Sequence, residues 1–424
     1  MPETGAHRPT PLTDAPAPPE RTPASMSKPD VTSTATVHAG DDHAKPYDSV
    51  PTPIVQTSTY TFASTAAIVA FTQGEKRTDG AEELWEREEY GRYGNPSVRA
   101  VEKRLAALDE AEDAILFASG MAALSTAVLA LVRAGQHVVY VRDGYRMTRE
   151  LVEGTLGRFG VTSDLVPAGN VSAIEAAIRP ETRLILTESP TNPYLSCIDL
   201  AKLAALGQAK RVKTLVDATF ATPINCRPAT FGIDLVVHSA TKYLAGHNDV
   251  LAGAVCGKAG LVSIVRDLRG VLGSVCDPHA AFLVERGLKT LSLRVQKQNA
   301  TGLAVAKYLE AHPRVARVFY PGLPSHENHA VAKEQMRGFG GVVSFIVKGG
   351  MEAASGVVDR LKLPRIAPSF GGVESLVEQP SVMSFYAMTS EERAATGIDD
   401  GLVRLSVGIE EEEDVIADLG RALG

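Results

Sequence analysis

The stretch Val237-His238-Ser239-Ala240-Thr241-Lys242-Tyr243-Leu244-Ala245-Gly246-His247-Asn248-Asp249 decides how this chain is read. Residues Asp234 to His238 have the length and β-branched content of a buried strand. They run into a turn of small residues that presents Lys242, with the hydroxyls of Ser239 and Thr241 just before it. A lysine amine forms a Schiff base with an aldehyde, and hydroxyls bind phosphate oxygens, so the group suits a phosphate-bearing aldehyde cofactor. Pyridoxal phosphate (PLP) is such a cofactor, and it also needs a carboxylate near its ring nitrogen to keep that nitrogen protonated. Asp217 is the candidate: it closes the apolar run Leu215-Val216, 25 positions before Lys242, about one strand–loop–strand unit away.

Outward from this stretch the pattern alternates between strands and helices. Strands are expected at Ala114–Ala118, His137–Val141, Leu184–Thr187, Thr214–Asp217, Leu235–His238 and Gly253–Cys256. Helical periodicity runs from Ser97 to Ala111, and again over Gly120–Ala134, Tyr145–Leu156, Val171–Ile178 and Leu200–Ala209. This is the signature of an α/β fold, a mainly parallel sheet with helices on both faces. Ligands of such sheets bind at the C-terminal ends of the strands, where Asp217 and Lys242 both fall. From about Gln296 the pattern changes to a smaller α+β domain. Its expected elements are a helix at Thr301–Ala311, strands at Val315–Tyr320, Gly341–Val347 and Leu402–Val407, and a helical stretch at Glu352–Leu361.

The N-terminus is different in kind. Eight of the 25 prolines lie in the first 30 residues. Such a segment cannot bury enough apolar surface to offset its ordering entropy, so residues 1–35 are expected to be a disordered tail. It has no apolar core of a secretory signal, and Glu3, Asp14, Glu20 and Asp30 speak against an organelle transit peptide; a cytoplasmic location is expected. The expected divisions are then an arm over 36–95, a large cofactor domain over 96–295 and a small domain over 296–424. The arm includes an extended part, Thr36 to Phe62, and a charged loop, Gln73 to Glu89.

Bulk composition excludes several classes. A net charge of −7 over 424 residues, with scattered basic residues, argues against a nucleic-acid surface. No apolar run approaches the ~18 residues of a membrane span. The four cysteines have no CxxC spacing, which fits unpaired thiols in a reducing compartment. The ten histidines show no metal spacing; His238 and His247 read as structural, and no metal is expected.

Further residues carry two readings each. Ser119-Gly120-Met121 joins a strand to a helix, either as a phosphate site at a helix N-terminus or as an ordinary βα turn. Tyr145 follows a strand and an Asp-Gly turn; it stacks on the pyridine ring and assists proton transfer, or it is a packed core tyrosine. In Glu188-Ser189-Pro190-Thr191-Asn192-Pro193, Asn192 bonds the cofactor's ring hydroxyl, or the run is a proline-punctuated loop. Arg404 interrupts the apolar strand Leu402-Val403-Arg404-Leu405-Ser406-Val407. It clamps a substrate carboxylate, or it lies on the exposed face of an edge strand.

Together these motifs resemble the Cys/Met-metabolism family of fold-type-I PLP enzymes. They occur in the family's order, with Tyr90-Gly91-Arg92-Tyr93-Gly94-Asn95-Pro96-Ser97, Asp217-Ala218-Thr219-Phe220 and Ser369-Phe370-Gly371-Gly372-Val373-Glu374-Ser375 as further members. The resemblance implies a seven-stranded, mainly parallel sheet and an amino-acid substrate. It implies that Lys242 holds the cofactor aldehyde and shuttles protons, that Asp217 pairs with the ring nitrogen and that Tyr145 stacks on the ring. Gly120, Met121, Ser239 and Thr241 would hold the phosphate, and Thr219 and Asn192 would add to the cofactor site. Arg404, Ser369 and Asn192 match positions that bind the substrate α-carboxylate. Tyr90 and Arg92 match residues that reach the neighbouring subunit's phosphate, which implies a homotetramer built from dimers with shared sites.

Within the family, Gly246-His247-Asn248-Asp249-Val250-Leu251-Ala252-Gly253, Leu293-Arg294-Val295-Gln296 and Ala367-Pro368-Ser369-Phe370-Gly371-Gly372 are closest to plant-type cystathionine γ-synthases. The implied reaction is γ-replacement on an activated homoserine ester, with a γ-eliminating lyase as the alternative and a non-catalytic PLP-binding protein as a distant one. Pro368 stands where many lyases have glutamate, Ala218 where they have asparagine, and Met383-Ser384-Phe385 where Met-Thr-His is common.

Overall fold

Seven strands form the first sheet: β1 (Asp113–Phe117), β2 (His137–Val141), β3 (Thr162–Val166), β4 (Thr182–Glu188), β5 (Lys213–Asp217), β6 (Leu235–His238) and β7 (Gly253–Gly257). They were placed by a computed structural model of the chain, which describes residues 31–42, 44–74, 88–395 and 397–424. The order is β1-β7-β6-β5-β4-β2-β3. Strands β3, β2, β4, β5 and β6 are mutually parallel, and β7 runs antiparallel to both of its neighbours. β2 and β7 are buried along their whole length, as expected of strands covered on both faces.

Side chains alternate between the two faces with period two. Leu116, Val139, Ile185, Val216 and Val236 pack into one core. Phe117, Val138, Leu186, Leu215 and Val237 pack into the other. The helix Gly120–Leu131 covers the second face, and the helices Pro96–Asp109 and Leu200–Lys210 cover the first.

The second sheet is smaller and mainly antiparallel. It contains β8 (Val315–Phe319), β9 (Val342–Val347), β10 (Arg365–Ile366), β11 (Leu376–Glu378) and β12 (Leu402–Ser406), in the order β10-β11-β12-β9-β8. β12 is an inner strand, paired with β11 and β9, so Arg404 does not lie on a sheet edge.

Several expectations shift. Residues 31–35, expected in the tail, begin the fold: Val31 is buried, and Thr32 caps the helix Ser33–His38 by accepting from the Ala35 amide. Residues 1–30 and most of the charged loop lie outside the described residues. β3 escaped notice because four of its five residues are exposed or only half-buried, as befits an edge strand. The helix expected at Tyr145–Leu156 is a short α-turn, Arg146–Arg149, followed by a π-helical stretch, Glu150–Thr155. The helix expected from Thr301 starts at Leu291 and passes without a break through the expected division at 295/296. Arg294, Gln296, Lys297, Gln298 and Asn299 mask its apolar face in the sequence, and Arg294 is buried by donating to the carbonyls of Tyr243 and Gly287, both at 2.7 Å. No described helix is long and apolar enough to cross a membrane.

Candidate active site

Parallel neighbours β5 and β6 end side by side, with Asp217 opposite Val237. The Asp217 carboxylate and the Ser239–Lys242 turn therefore emerge together. Thr219 ties them: its amide and hydroxyl donate to Asp217 Oδ1 at 2.9 and 2.5 Å, and its Oγ1 accepts from the Ser239 amide at 2.8 Å. Thr219 thus positions the acid. Asp217 keeps some access to the pocket yet sits deep in the protein. Burial raises its pKa, against the Thr219 hydrogen bonds and the charge of His238. A protonated ring nitrogen beside it would relieve that penalty.

Behind Asp217, His238 Nε2 lies 2.8 Å from Asp109 Oδ2, with both side chains fully buried. Burial disfavours a charged imidazole, but the Asp109 and Asp217 carboxylates outweigh it and the His238 pKa is raised. The Asp109 pairing fixes His238 as a buried neighbour of Asp217.

Lys242 is half-buried, and its Nζ donates to Ser369 Oγ at 2.7 Å. Burial, then the charge of Arg404, lowers the Lys242 pKa to about 8, with Glu378 opposing. At pH 7 this leaves about a tenth of it as the free amine, far more than an ordinary lysine offers, and that is the form that attacks an aldehyde or takes a proton. Ser369 sits at φ +98°, a strained conformation for a residue with a side chain. There its hydroxyl meets Lys242 while its carbonyl accepts from Arg404 Nη2 at 3.0 Å. Phe370 packs beside both, stacked on Phe220 with centroids 4.0 Å apart.

The helix Gly120–Leu131 points its N-terminus at the same turn. Ser119 Oγ caps it by accepting from the Ala122 amide at 3.1 Å. At a helix start the amides of Gly120 and Met121 have no carbonyl within the helix to bind, and they favour an anion. A Cβ on Gly120 would meet Ser239 Cβ at 2.8 Å and Ser239 Oγ at 2.9 Å, so the Ser239 hydroxyl stands against the helix start. Thr241 is used differently: its hydroxyl donates to Ala252 O at 3.2 Å and accepts from the Ala252 amide at 3.0 Å. It pins the loop, and only its remaining lone pair and a rotated proton could serve a phosphate.

These residues fit pyridoxal phosphate. An amine of lowered pKa stands for the aldehyde, a buried acid for the ring nitrogen, and a narrowed helix start with a hydroxyl for the phosphate.

Arg404 is 5% exposed and donates from Nη1 to Asn192 Oδ1 at 2.9 Å. Asn192 is therefore held on the arginine. Tyr145 is 46% exposed, and its amide donates to Glu188. Burial, then the charge of Asp217, raises the Glu188 pKa well above the ordinary value, and the bond to the Tyr145 amide anchors that loop.

Glu188, Glu378 and Asp109 were not singled out in the sequence. The one signal was Arg404 itself, since a buried arginine calls for an acid. Tyr90 and Arg92 lie apart. Arg92 donates to Gly270 O at 2.5 Å and packs on the rings of Tyr93 and Tyr90. Among the described residues, no hydrogen bond, ion pair or ring contact joins either to Lys242, Ser239 or Thr241.

Comparison with known proteins identifies the family. The family described as Cys/Met metabolism PLP-dependent enzyme matches residues 33–424. Cystathionine gamma-synthase 1, chloroplastic, of Arabidopsis thaliana is 48% identical over 391 residues, 92% of this chain and 68% of that protein. L-methionine gamma-lyase of Fusobacterium nucleatum subsp. nucleatum is 39% identical over 393 residues, 92% of this chain and 97% of that protein. The crystal structure of metB from Corynebacterium glutamicum superposes with a TM-score of 0.83 at 36% identity, covering 92% of this chain and 97% of that one. The chain belongs to the Cys/Met metabolism PLP-dependent enzyme family, and pyridoxal phosphate is its cofactor.

Proposed function

We propose that the protein catalyses γ-replacement on an activated L-homoserine ester, with cysteine as the simplest acceptor and cystathionine as the product. The observation that carries this reading is the bridge made by Ser369 between Lys242 and Arg404. It spaces a base and a carboxylate receptor to handle the two ends of one α-amino acid. The 48% identity to a plant cystathionine gamma-synthase favours replacement within that chemistry.

When bound, PLP supplies an electron sink for charge developing next to the amino-acid nitrogen. The protein's residues do the rest. Arg404 receives the α-carboxylate, oriented by Asn192 and Ser369. Asp217, held by Thr219, offers a fixed negative charge to the ring nitrogen. Lys242 Nζ takes the proton from Cα, must release that proton to become the free amine again, and then takes one from Cβ, with Ser369 Oγ keeping Nζ in place between transfers. The Cγ–O bond breaks, a Cγ–S bond to the acceptor forms, and protons return to the substrate carbons. Tyr145 covers the ring and assists proton transfer.

Assembly and location belong to the same proposal. Tyr90 and Arg92 complete a neighbouring subunit's phosphate site, with the arm as the contact, in a homotetramer of dimers. Their separation from Lys242 in their own chain supports this. A cytoplasmic location rests on the four acids among the first 30 residues.

The test is mass spectrometry of products from PLP-loaded protein. O-phospho-, O-succinyl- and O-acetyl-L-homoserine are offered in turn, each with and without L-cysteine. Cystathionine formed only with cysteine supports replacement and names the leaving group. The similarity to an L-methionine gamma-lyase favours γ-elimination as the second reading. Oxobutyrate formed equally with and without cysteine, and no cystathionine, would establish it.

A further inference from the structure

The antiparallel register of β11 and β12 places Glu378 directly opposite Arg404. Glu378 Oε1 lies 3.0 Å from Arg404 Nη1, with the two side chains 6% and 5% exposed. The hydrogen bonds from Arg404 to Asn192 and Ser369 use Nη1 and one proton of Nη2. Among the described residues, the Nε–H and the second Nη2–H have no acceptor. A planar carboxylate takes two such donors at once. Arg404 can therefore receive a substrate carboxylate without releasing Glu378.

That arrangement has an electrostatic consequence. The charged groups facing Glu378 are Arg404 from β12 and Lys242 from the turn after β6. Tyr243 and Tyr145 act on Arg404 from that turn and from the loop after β2. In the free enzyme one buried anion is matched to one buried guanidinium. A second carboxylate puts two anions on that cation, out of water, and carboxylates sharing a site do not both stay ionised. Burial already pushes the Glu378 carboxyl upward, against Arg404 and Lys242, so it is the acid nearest to accepting a proton.

We propose that Glu378 is a built-in carboxylate on Arg404 that takes up one proton when the substrate's α-carboxylate binds, which couples substrate binding to pH. The proposal rests on Arg404 being the receiver of that carboxylate. Glu378 is a positioning residue: it acts through Arg404 and makes amino-acid binding weaken as pH rises.

The test titrates the PLP-loaded enzyme with butyrate, a carboxylate without an amine, between pH 6 and 9. Binding is read from the cofactor absorbance, which also reports the cofactor's own protonation, so that contribution is subtracted. Linkage predicts a wild-type Kd that is flat at low pH and rises by about tenfold per pH unit above the pKa of free Glu378. Glu378→Gln should remove the slope and bind butyrate more tightly than wild type at pH 8, by the factor through which the wild-type Kd has risen from its low-pH plateau. Glu378→Asp, which keeps the charge but withdraws it by a methylene, should keep a slope that begins at a different pH; it serves also if the Gln variant fails to fold. A pH-independent wild-type Kd, a slope retained by Glu378→Gln, or an Asp profile identical to wild type overturns the proposal. Arg404→Gln separates the two levels. Unchanged butyrate binding by that variant overturns the carboxylate placement itself. Lost binding together with a flat wild-type profile overturns only the role of Glu378.

Discussion

Lys242 Nζ donates to Ser369 Oγ at 2.7 Å, joining the turn after β6 to the loop before β11, and the same serine accepts from Arg404 through its carbonyl. One residue from the second sheet's loop therefore sets the distance between the reactive amine and the carboxylate receptor. Ser369→Ala should keep the fold and the cofactor but leave Nζ without its acceptor. A hydrogen bond to a charged group contributes about 1.5–3 kcal/mol, so kcat/KM should fall by about ten- to a hundredfold. Steady-state kinetics check this, and a variant within twofold of wild type would contradict it.

Arg404→Lys should be far from conservative. A lysine cannot serve Asn192, Glu378 and a planar carboxylate from one fork. The loss should appear in KM, by about a hundredfold at 1.5–3 kcal/mol per charged hydrogen bond. Initial rates over a range of amino-acid substrate concentrations measure it.

Gly120→Ala should weaken cofactor retention. The new Cβ would lie 2.8 Å from Ser239 Cβ and 3.0 Å from Ser239 Cα, so relief requires backbone movement at the phosphate cradle. Overpacking of this kind costs about 1–3 kcal/mol. Equilibrium dialysis should show the Kd for PLP raised by about tenfold or more, with circular dichroism unchanged.

The buried Asp109–His238 pair should make stability depend on pH in a definite direction. The folded His238 pKa is raised above its unfolded value near 6.5. Its stabilisation is therefore complete below about pH 6.5 and is lost as pH rises through the folded pKa. Asp109→Asn removes one partner of a buried pair, which costs about 3–5 kcal/mol. The Tm difference between wild type and this variant should be largest at pH 6 and shrink towards pH 9. A constant difference would contradict the raised His238 pKa.

How far the sequence could be read depends on how local each feature is. Asp217, Ser239 and Lys242 were legible because each sits at the end of an apolar run, and adjacent parallel strands bring such ends together. The helix start at Gly120 was legible for the same reason. Glu378 was not, because its pairing with Arg404 depends on the register of a three-residue strand, β11, that carries too little pattern to be recognised. Glu188 was quoted within a motif, but its bond to the Tyr145 amide comes from another loop. Thr219 lay in the right place, yet its hydroxyl turns inward to Asp217, a rotamer choice that leaves no mark in the sequence. β3 was missed because an edge strand needs only one buried end.

Lys242→Ala, purified with PLP, tests the central claim most directly. The account predicts a folded protein without turnover and without the Schiff-base absorbance of the cofactor. Turnover retained by this variant would show that the chemistry is not centred on Lys242 and would contradict the account.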